Sequence, residues 1–247
     1  MGCLFYYLFT KGSHPFGDTF EREANIRRGM MNIEQLRVDP LAYDLVEVML
    51  QSNPKQRPTV DQLLDHPFFW ESSKHLLFFR DISDRLEIEK PSVPIVRILE
   101  SNARLVFSAS KQHNWSDALD QALIDDLGKY RKYKFHLIRD LLRVIRNKFN
   151  HYRDLAPEIQ QLLGTLPDGF LEYFTLKFPK LFIVLFYIAN VHCAQEAIFR
   201  QYFPKDQIPF DHQRKRFISL LEPPPIQSNN NTTQQFKKNN QSNPSFS

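Results

Sequence analysis

The stretch Leu137-Ile-Arg-Asp-Leu-Leu-Arg-Val-Ile-Arg-Asn-Lys-Phe-Asn-His-Tyr-Arg153 decides the fold of this chain. Its residues separate at helical spacing into an apolar stripe and a polar stripe. The apolar stripe consists of Ile138, Leu141, Leu142, Ile145 and Phe149, and the polar stripe consists of Arg139, Arg143, Arg146 and Asn150. The spacing predicts a helix over 137–149 with one face in a core and a basic ridge on another. Polar residues then converge at its C-terminal end, where Arg146, Asn147 and His151 lie about one turn apart.

The basic residues around this helix are concentrated in one segment, which we call the basic segment (129–153). It holds nine lysines and arginines and a single acid, Asp140, for a net charge of +8. The whole chain carries +4, so the remainder carries −4. Such a concentration is typical of a surface that binds a polyanion, because neutralising phosphates releases condensed counterions. A solvated helix face is the alternative, although such faces usually mix both signs of charge.

The composition of the chain indicates packed helices. Its 247 residues are 42% hydrophobic and 24% charged, which excludes collagen, coiled coil and wholesale disorder. There are 22 phenylalanines and 7 glycines, and no stretch alternates as a strand does, so we predict an all-α fold. Two cysteines exclude a disulfide framework and a four-cysteine zinc site. The apolar run 181–189 is shorter than the ~20 residues that span a bilayer, and we expect no direct membrane insertion.

Composition and helical spacing divide the chain into three parts. We predict an N-terminal block (1–70), a C-terminal helical domain (71–203) and an extension (204–247). The extension is expected to be disordered from about residue 222, because 10 of its last 26 residues are Asn or Gln. The spacing of apolar residues predicts helices over 2–9, 20–28, 40–50, 60–64, 73–89, 93–102, 115–130, 137–149, 157–163, 170–178 and 180–203.

Short motifs in the N-terminal block resemble the last part of a protein-kinase C-lobe. They are Gly2-Cys-Leu-Phe-Tyr-Tyr7, His14-Pro-Phe-Gly17, Asn53-Pro-x-x-Arg57-Pro-Thr59 and His66-Pro-Phe-Phe-Trp70. Everything that positions ATP, magnesium and the phosphoryl acceptor in a kinase is absent from the sequence, including the Gly-rich loop and the His-Arg-Asp and Asp-Phe-Gly motifs. We therefore expect no kinase activity from this chain. A truncated gene model, a fragment of a longer protein and a degenerate paralogue all remain open.

The helical domain resembles the nuclease of the inositol-requiring endoplasmic-reticulum stress sensors, the kinase/endoribonucleases of the unfolded protein response. The resemblance rests on Leu76-Leu-Phe-Phe-x-Asp-x-Ser-Asp-Arg85, Tyr130-Arg-Lys-Tyr-Lys134, Arg139-Asp-Leu-Leu-Arg143, Arg146-Asn-Lys-x-x-His-Tyr-Arg-Asp-Leu155 and Tyr173-Phe-x-x-x-Phe-Pro179. Ribonuclease L shares this kinase-extension domain, but the His-Tyr-Arg-Asp-Leu continuation is closer to the stress sensors. The resemblance implies cleavage of RNA stem-loops, with mRNA cleavage or splicing as the outcome.

Metal-free RNA cleavage needs a base for the 2′-hydroxyl, an acid for the leaving 5′-oxygen and cations for the phosphate. His151 is the predicted general acid, because imidazole titrates close to neutral pH. Tyr133 matches the tyrosine that acts as general base in the family. Arg146 is predicted to pair with the scissile phosphate, and Asn147 to donate a further hydrogen bond or brace the loop. The expected product is a 2′,3′-cyclic phosphate.

Further contacts to RNA phosphates are expected from five basic side chains, Lys132, Lys134, Arg139, Arg143 and Lys148. His136 adds a histidine where the family usually has small residues, and we interpret it as an exposed phosphate contact. Asp125 and Asp126 are adjacent on a helix and cannot face one metal pair, so no metal site is predicted. No cofactor is expected in this chain, whereas ATP and magnesium serve the full-length family.

The partners expected from the resemblance are RNA and a second protein chain, either a homodimer mate or a full-length relative. The expected location is cytoplasmic, at the cytosolic face of the endoplasmic-reticulum membrane if the chain is part of a longer protein. The alternative hypothesis is a noncatalytic RNA-binding or dimerisation module that regulates a full-length relative. The joint presence of Tyr133, Arg146, Asn147 and His151 favours the enzyme, since a binding module has no need for the full set.

Overall fold

The computed structural model describes residues 1–110, 112–129 and 131–203, and this part of the chain contains helices and turns but no strand. The all-α prediction is confirmed. Twelve α-helices follow in order within the described residues: α1 Gly2–Phe9, α2 Arg22–Arg28, α3 Pro40–Met49, α4 Val60–Leu64, α5 Ser72–Glu87, α6 Pro94–Ser101, α7 Ala103–Val106, α8 Gln121–Gly128, α9 Ile138–Asn150, α10 Pro157–Leu163, α11 Asp168–Lys177 and α12 Leu181–Cys193. The expected disorder from about residue 222 lies outside the described residues.

The N-terminal block has a small core of its own, formed by Tyr6, Ile33, Leu36 and Val46. Its helices start where the sequence supplies caps. The Asp39 carboxylate accepts hydrogen bonds from the backbone N–H groups of the first turn of α3, and Pro40 occupies the first helical position. One face of α1 is left in solvent, because the side chains of Leu4, Tyr7 and Leu8 are more than half exposed.

The helical domain is built around α5 and α9, which pack along one another, with α6, α11 and α12 closing the core. The predicted apolar stripe of α9 faces this core: Ile138, Leu141, Leu142 and Ile145 are buried, and Phe149 packs against it. Helix α12 is buried on nearly all sides, as its continuous apolar run predicts.

Two contacts join the block to the domain. The Trp70 ring lies among aromatic rings of α5 and α12, and its indole N–H donates to the Asp65 carbonyl at 2.9 Å. Beside it, the buried Asp44 carboxylate of α3 accepts a hydrogen bond from the Tyr187 hydroxyl of α12 and pairs with His66 Nε2 at 3.0 Å. A buried polar group needs such partners, so this network fixes how the two parts meet.

The structure corrects two predicted helices. The helix predicted over 180–203 ends at Cys193, because the chain then turns to pack Phe199 and Tyr202 against Phe78. The helix predicted over 115–130 is instead a short 3₁₀ turn, Trp115–Ala118, followed by α8. The backbone is extended between them at Asp120, whose carboxylate is held by Tyr173 and Lys177 of α11.

Among the described residues no single helix is long and apolar enough to cross a membrane. Helices α11 and α12 meet the criteria of length and composition only as a pair, and they meet at a bend of 95°.

Candidate active site

The site is built on the C-terminal end of α9, and the start of that helix is fixed by a residue from α6. Leu137, at the N-cap position, has no side chain that can cap the helix. Instead the Glu100 carboxylate accepts hydrogen bonds from the backbone N–H groups of Ile138 at 2.7 Å and Arg139 at 3.1 Å. Burial raises the pKa of Glu100, although these N–H groups and the charge of Arg139 oppose the shift.

Two arginines of α9, Arg139 and Arg146, bind to α5. The Arg139 guanidinium donates from Nη1 to the carbonyl of Glu89 at 2.8 Å, just past the C-terminal end of α5. Cations are favoured there because the last carbonyls of a helix lack partners within it. Two turns further along α9, Arg146 Nη1 lies 2.9 Å from Asp84 Oδ1 of α5.

Arg146 and Asn147 form one unit. The Asn147 side-chain oxygen accepts hydrogen bonds from both Nε and Nη2 of Arg146, each at 3.2 Å. The Arg146 side chain is 13% exposed, so its charge is close to the surface but held in place. A guanidinium fixed along one edge in this way presents its other edge to an anion.

His151 follows directly, at the C-cap of α9. Its side chain is 71% exposed, and its Nδ1 lies 3.5 Å from a carboxylate oxygen of Asp154. His151 and Asn147 line the same cleft, which has a volume of about 650 Å³. Lys129, which directly follows α8, lines it as well. An exposed imidazole beside a carboxylate can exchange a proton with a ligand in this cleft.

Tyr133 lies on the loop that runs beside α9. The loop starts at Lys129, in the cleft, and reaches the first turn of α9, where the Lys134 backbone N–H donates to Asp140 Oδ2 at 2.7 Å. The Tyr133 ring is half-buried and meets the buried Trp115 ring edge to face, with centroids 6.1 Å apart. The structure thus brings Arg146, Asn147 and His151 together, and the neighbouring loop carries Tyr133.

The basic segment is less available to a polyanion than its charge indicates. Arg143 is buried and pairs with Glu87, at 2.8 Å and 3.0 Å, and with Asp140. Lys148 is buried against Asp126 of α8. Arg143 and Arg146 of the predicted basic ridge therefore face carboxylates of α5, whereas Arg139 meets backbone carbonyls there. Arg143 and Lys148 are held in buried ion pairs, which gives both a structural role, and Lys148 also lines the cleft beside His151.

The other predicted phosphate contacts have different surroundings. Lys132, Lys134 and His136 are exposed, as their predicted role requires. Arg139 is partly buried and its Nη1 is engaged by backbone carbonyls at the end of α5. Phosphate contact stays a prediction for Lys132, Lys134 and His136, whereas Arg139 donates to the carbonyls at the end of α5.

Ion pairing lowers the pKa of two of these carboxylates, Glu87 and Asp126. Burial alone would raise the pKa of Glu87, but the hydrogen bonds and charge of Arg143, with the charge of Arg146, hold it below its ordinary value. Burial likewise opposes ionisation of Asp126, and Lys148 and Lys129 outweigh it and lower its pKa.

Asp84, Glu87, Glu100 and Asp126 organise the site. Asp84 lies in a family motif and Asp126 was considered as a metal ligand, but none of the four was predicted as a partner of α9. Asp84 and Glu87 are three residues apart on α5 and share a helix face, which is the one signal that could have linked them to the arginines of α9. Glu100 and Asp126 carry no such signal, because their partners are 22 or more residues away.

Comparison with known proteins decides the family. The sequence profile described as Ribonuclease 2-5A matches residues 75–203, which is more than half of the chain. The chain belongs to the Ribonuclease 2-5A family. This confirms the resemblance to the nuclease region of the stress-sensor kinase/endoribonucleases. The matched residues contain α9, its capping residue Glu100 and all four predicted catalytic residues.

Three relatives illustrate how this Ribonuclease 2-5A chain matches longer proteins. It is 48% identical over 203 residues to a "Probable serine/threonine-protein kinase" of Dictyostelium discoideum, which covers 82% of this chain and 20% of the relative. It is 43% identical over 210 residues to a serine/threonine-protein kinase/endoribonuclease of Arabidopsis thaliana, covering 84% and 24%. It is 41% identical over 208 residues to the "Sensor for unfolded proteins in the ER" of Schizosaccharomyces pombe, covering 82% and 19%. The chain spans about a fifth of the length of these relatives.

The expectation that this Ribonuclease 2-5A chain holds no cofactor stays a prediction. Within the described ranges no group of three or more His, Cys, Asp or Glu side chains is arranged to hold a metal ion. The sequence also lacks the Gly-rich loop whose backbone N–H groups would hold the phosphates.

Proposed function

We propose that this chain is a metal-independent endoribonuclease that cleaves RNA stem-loops by general acid–base transesterification. The observation that carries the proposal is the unit of Arg146, Asn147 and His151 at the end of α9, within a region that matches a ribonuclease family. The Arg146 guanidinium is bonded to Asn147, which lines one cleft with the exposed His151, and a cation and a proton donor are two of the parts that phosphate-ester cleavage without metal requires.

In the proposed reaction the scissile phosphate binds the outer edge of the Arg146 guanidinium. The Tyr133 oxygen accepts the proton of the 2′-hydroxyl, and the 2′-oxygen forms a bond to phosphorus. The bond from phosphorus to the 5′-oxygen breaks, and His151 donates a proton to that oxygen. The products carry a 2′,3′-cyclic phosphate and a 5′-hydroxyl, and Asn147 keeps the guanidinium in orientation throughout.

The same proposal includes the setting of the reaction. We assign the chain to an unfolded-protein-response sensor involved in mRNA cleavage or splicing, because its relatives are named kinase/endoribonucleases and a sensor for unfolded proteins in the ER. The chain would be cytoplasmic, at the cytosolic face of the endoplasmic-reticulum membrane. A homodimer or a complex with a full-length relative would cover Leu4, Tyr7 and Leu8, the exposed apolar face of α1.

Cleavage of an end-labelled RNA hairpin in EDTA, over a series of protein concentrations, tests the proposal. We expect a 2′,3′-cyclic phosphate product and a rate per chain that rises with concentration. His151→Ala should lower the rate by about 10²- to 10⁴-fold, the usual contribution of a general acid. His192→Ala is the matched control, since His192 is exposed on α12 and has no assigned role in binding or chemistry, and it should cleave within a few-fold of the wild-type rate.

Two outcomes would contradict this proposal. RNA binding without cleavage at every concentration would favour the noncatalytic RNA-binding or dimerisation module. Cleavage that EDTA abolishes would point to metal-dependent chemistry and would remove the assigned roles of Tyr133 and His151.

A further inference from the structure

The Arg146 guanidinium, which the proposed function assigns to the scissile phosphate, is already paired with an acid. Asp84 Oδ1 of α5 lies 2.9 Å from Nη1, and the more distant Glu87 Oε2 lies 3.7 Å from the same nitrogen. The two side chains differ in exposure: Asp84 is 55% exposed and Arg146 is 13% exposed. The carboxylate therefore covers the guanidinium from the solvent side, which is the side from which an RNA phosphate arrives.

The hydrogen bonds of Arg146 show which of its donors this acid occupies. A guanidinium has five N–H donors. Nε and one N–H of Nη2 are taken by Asn147, and one N–H of Nη1 by Asp84. Two donors are left without a hydrogen-bond partner among the described residues. A phosphate that binds two neighbouring nitrogens would need Nη1 and Nη2, so it would meet the Asp84 carboxylate, whose charge repels it.

We propose that Asp84 is a displaceable counter-ion, which neutralises Arg146 in the chain without RNA and leaves when a phosphate binds. The inference rests on the proposed function and adds to it a residue that sets RNA affinity. Displacement is inexpensive because the exposed Asp84 carboxylate regains contact with water when it leaves the guanidinium.

The neighbouring pair of Glu87 and Arg143 differs, and it shows why Asp84 is the acid that moves. Arg143 is 8% exposed and is held by two Glu87 oxygens as well as by Asp140. Breaking that pair would leave the buried guanidinium with Asp140 as its one remaining carboxylate among the described residues, which costs more than releasing an exposed carboxylate. Glu87 therefore stays in place and anchors α9 to α5, while Asp84 can leave Arg146.

The test is Asp84→Asn, which removes the charge and keeps an oxygen that can accept from Nη1. The probe is a fluorescein-labelled 2′-O-methyl RNA hairpin, which lacks the nucleophile and stays intact, and fluorescence anisotropy in EDTA measures its Kd. We expect Asp84→Asn to lower Kd by about two- to fivefold at low salt. The dependence of log Kd on log salt should steepen by up to about 0.7, since the charge of Arg146 is then offset only by the more distant Glu87 carboxylate among the described residues.

Asp125→Asn is the matched control. It removes one exposed carboxylate from α8, and the Asp125 side chain accepts a hydrogen bond from Gln121 on the same helix, not from an arginine of the site. It changes the net charge of the chain by the same amount, so a similar gain in affinity for Asp125→Asn would show an effect of overall charge and overturn the proposal.

Asp84→Ala separates a counter-ion from a positioning residue, with the unfolding temperature of each variant as a check on folding. A counter-ion predicts tighter binding for Asp84→Ala as well, whereas a residue that only orients Arg146 predicts weaker binding. Unchanged or weaker binding by both Asp84 variants, with wild-type binding intact and Arg146→Gln weakened, would overturn the counter-ion alone. A wild-type chain that neither binds nor cleaves RNA would overturn the proposed function and this inference together.

Discussion

Lys148 follows Asn147 directly on α9, yet its ammonium is buried against Asp126 of α8. From the sequence it was predicted as a phosphate contact, because a lysine beside catalytic residues in a basic segment is usually at the surface. Burial changes its role, since a buried ammonium must keep its carboxylate partner and cannot be given up to a ligand at low cost.

The first prediction follows from this pair. Lys148→Met should lower the free energy of unfolding by about 1–3 kcal/mol, because Asp126 would be left charged in a largely buried site. Urea denaturation measures the loss, and the exposed Lys132→Met should change it by less than about 0.5 kcal/mol. Asp126→Asn combined with Lys148→Met should recover part of the loss; equal losses for Lys132→Met and Lys148→Met would show that Lys148 is not a structural cation.

The Glu87 carboxylate gives a second prediction, for the dependence of stability on pH. Arg143 and Arg146 outweigh burial and hold the pKa of Glu87 below its ordinary value. A carboxylate whose pKa is lower in the folded chain than in the unfolded chain adds stability above the unfolded pKa, of about 4.3, and this stability is lost as the pH falls through the folded pKa.

Thermal unfolding between about pH 6 and pH 3 measures this contribution. The wild-type unfolding temperature should fall more steeply on acidification than that of Glu87→Gln, which has lost the titrating group. Glu172→Gln is the control, because Glu172 is exposed on α11 and no ion pair involves it among the described residues. Parallel curves for the wild type and Glu87→Gln would contradict the assigned pKa shift.

At the scale of the secondary-structure elements, α9 depends on a cap that its own sequence does not provide. The hydrophobic pattern predicts the helix over 137–149, and the structure has Ile138–Asn150. The pattern cannot show that Glu100, 38 residues before Ile138, satisfies the first N–H groups. The orientation of α9, and with it the position of His151, therefore depends on α6.

The third prediction tests this cap. Glu100→Ala should lower the free energy of unfolding by about 1–2 kcal/mol, the usual range for removing a helix cap, and should reduce RNA cleavage. Glu100→Gln should lose less, since it keeps an acceptor and burial already raises the pKa of Glu100 in favour of a neutral group. Chemical denaturation and cleavage rates measure both effects, and a Glu100→Ala variant as stable as the exposed-site control Glu172→Ala would disprove the capping role.

At the scale of the whole molecule, the N-terminal block and the helical domain are joined through the buried Asp44, His66 and Tyr187 network and through Trp70. The separate core cluster of the block consists of Tyr6, Ile33, Leu36 and Val46, and Leu45 of α3 is buried as well. Removing one hydroxyl group from α12 should thus lower the stability of the N-terminal block.

The fourth prediction is made for that hydroxyl. Tyr187→Phe should destabilise the chain by about 1–3 kcal/mol, because it removes a donor to the buried Asp44 carboxylate. Limited proteolysis should then cut residues 1–70 faster than in the wild type. Tyr173→Phe is the matched control, since its hydroxyl donates at 2.8 Å to Asp120 in an exposed pair. Equal effects of the two changes on stability and proteolysis would show that the Asp44 network does not join the two parts.

The sequence by itself determined the all-α class, the helical segments, the apolar face of α9 and the family resemblance. These depend on local periodicity and on motifs, which involve residues that are close together in the sequence. The tertiary structure alone decided which charges are exposed and where α12 ends. Arg143, Lys148 and Lys132 are all basic residues of one segment, and the sequence does not distinguish them. In the structure Arg143 and Lys148 are buried and pair with carboxylates of α5 and α8. The reason is physical: burial and charge pairing depend on residues far apart in the chain, and only the packing of helices brings them together.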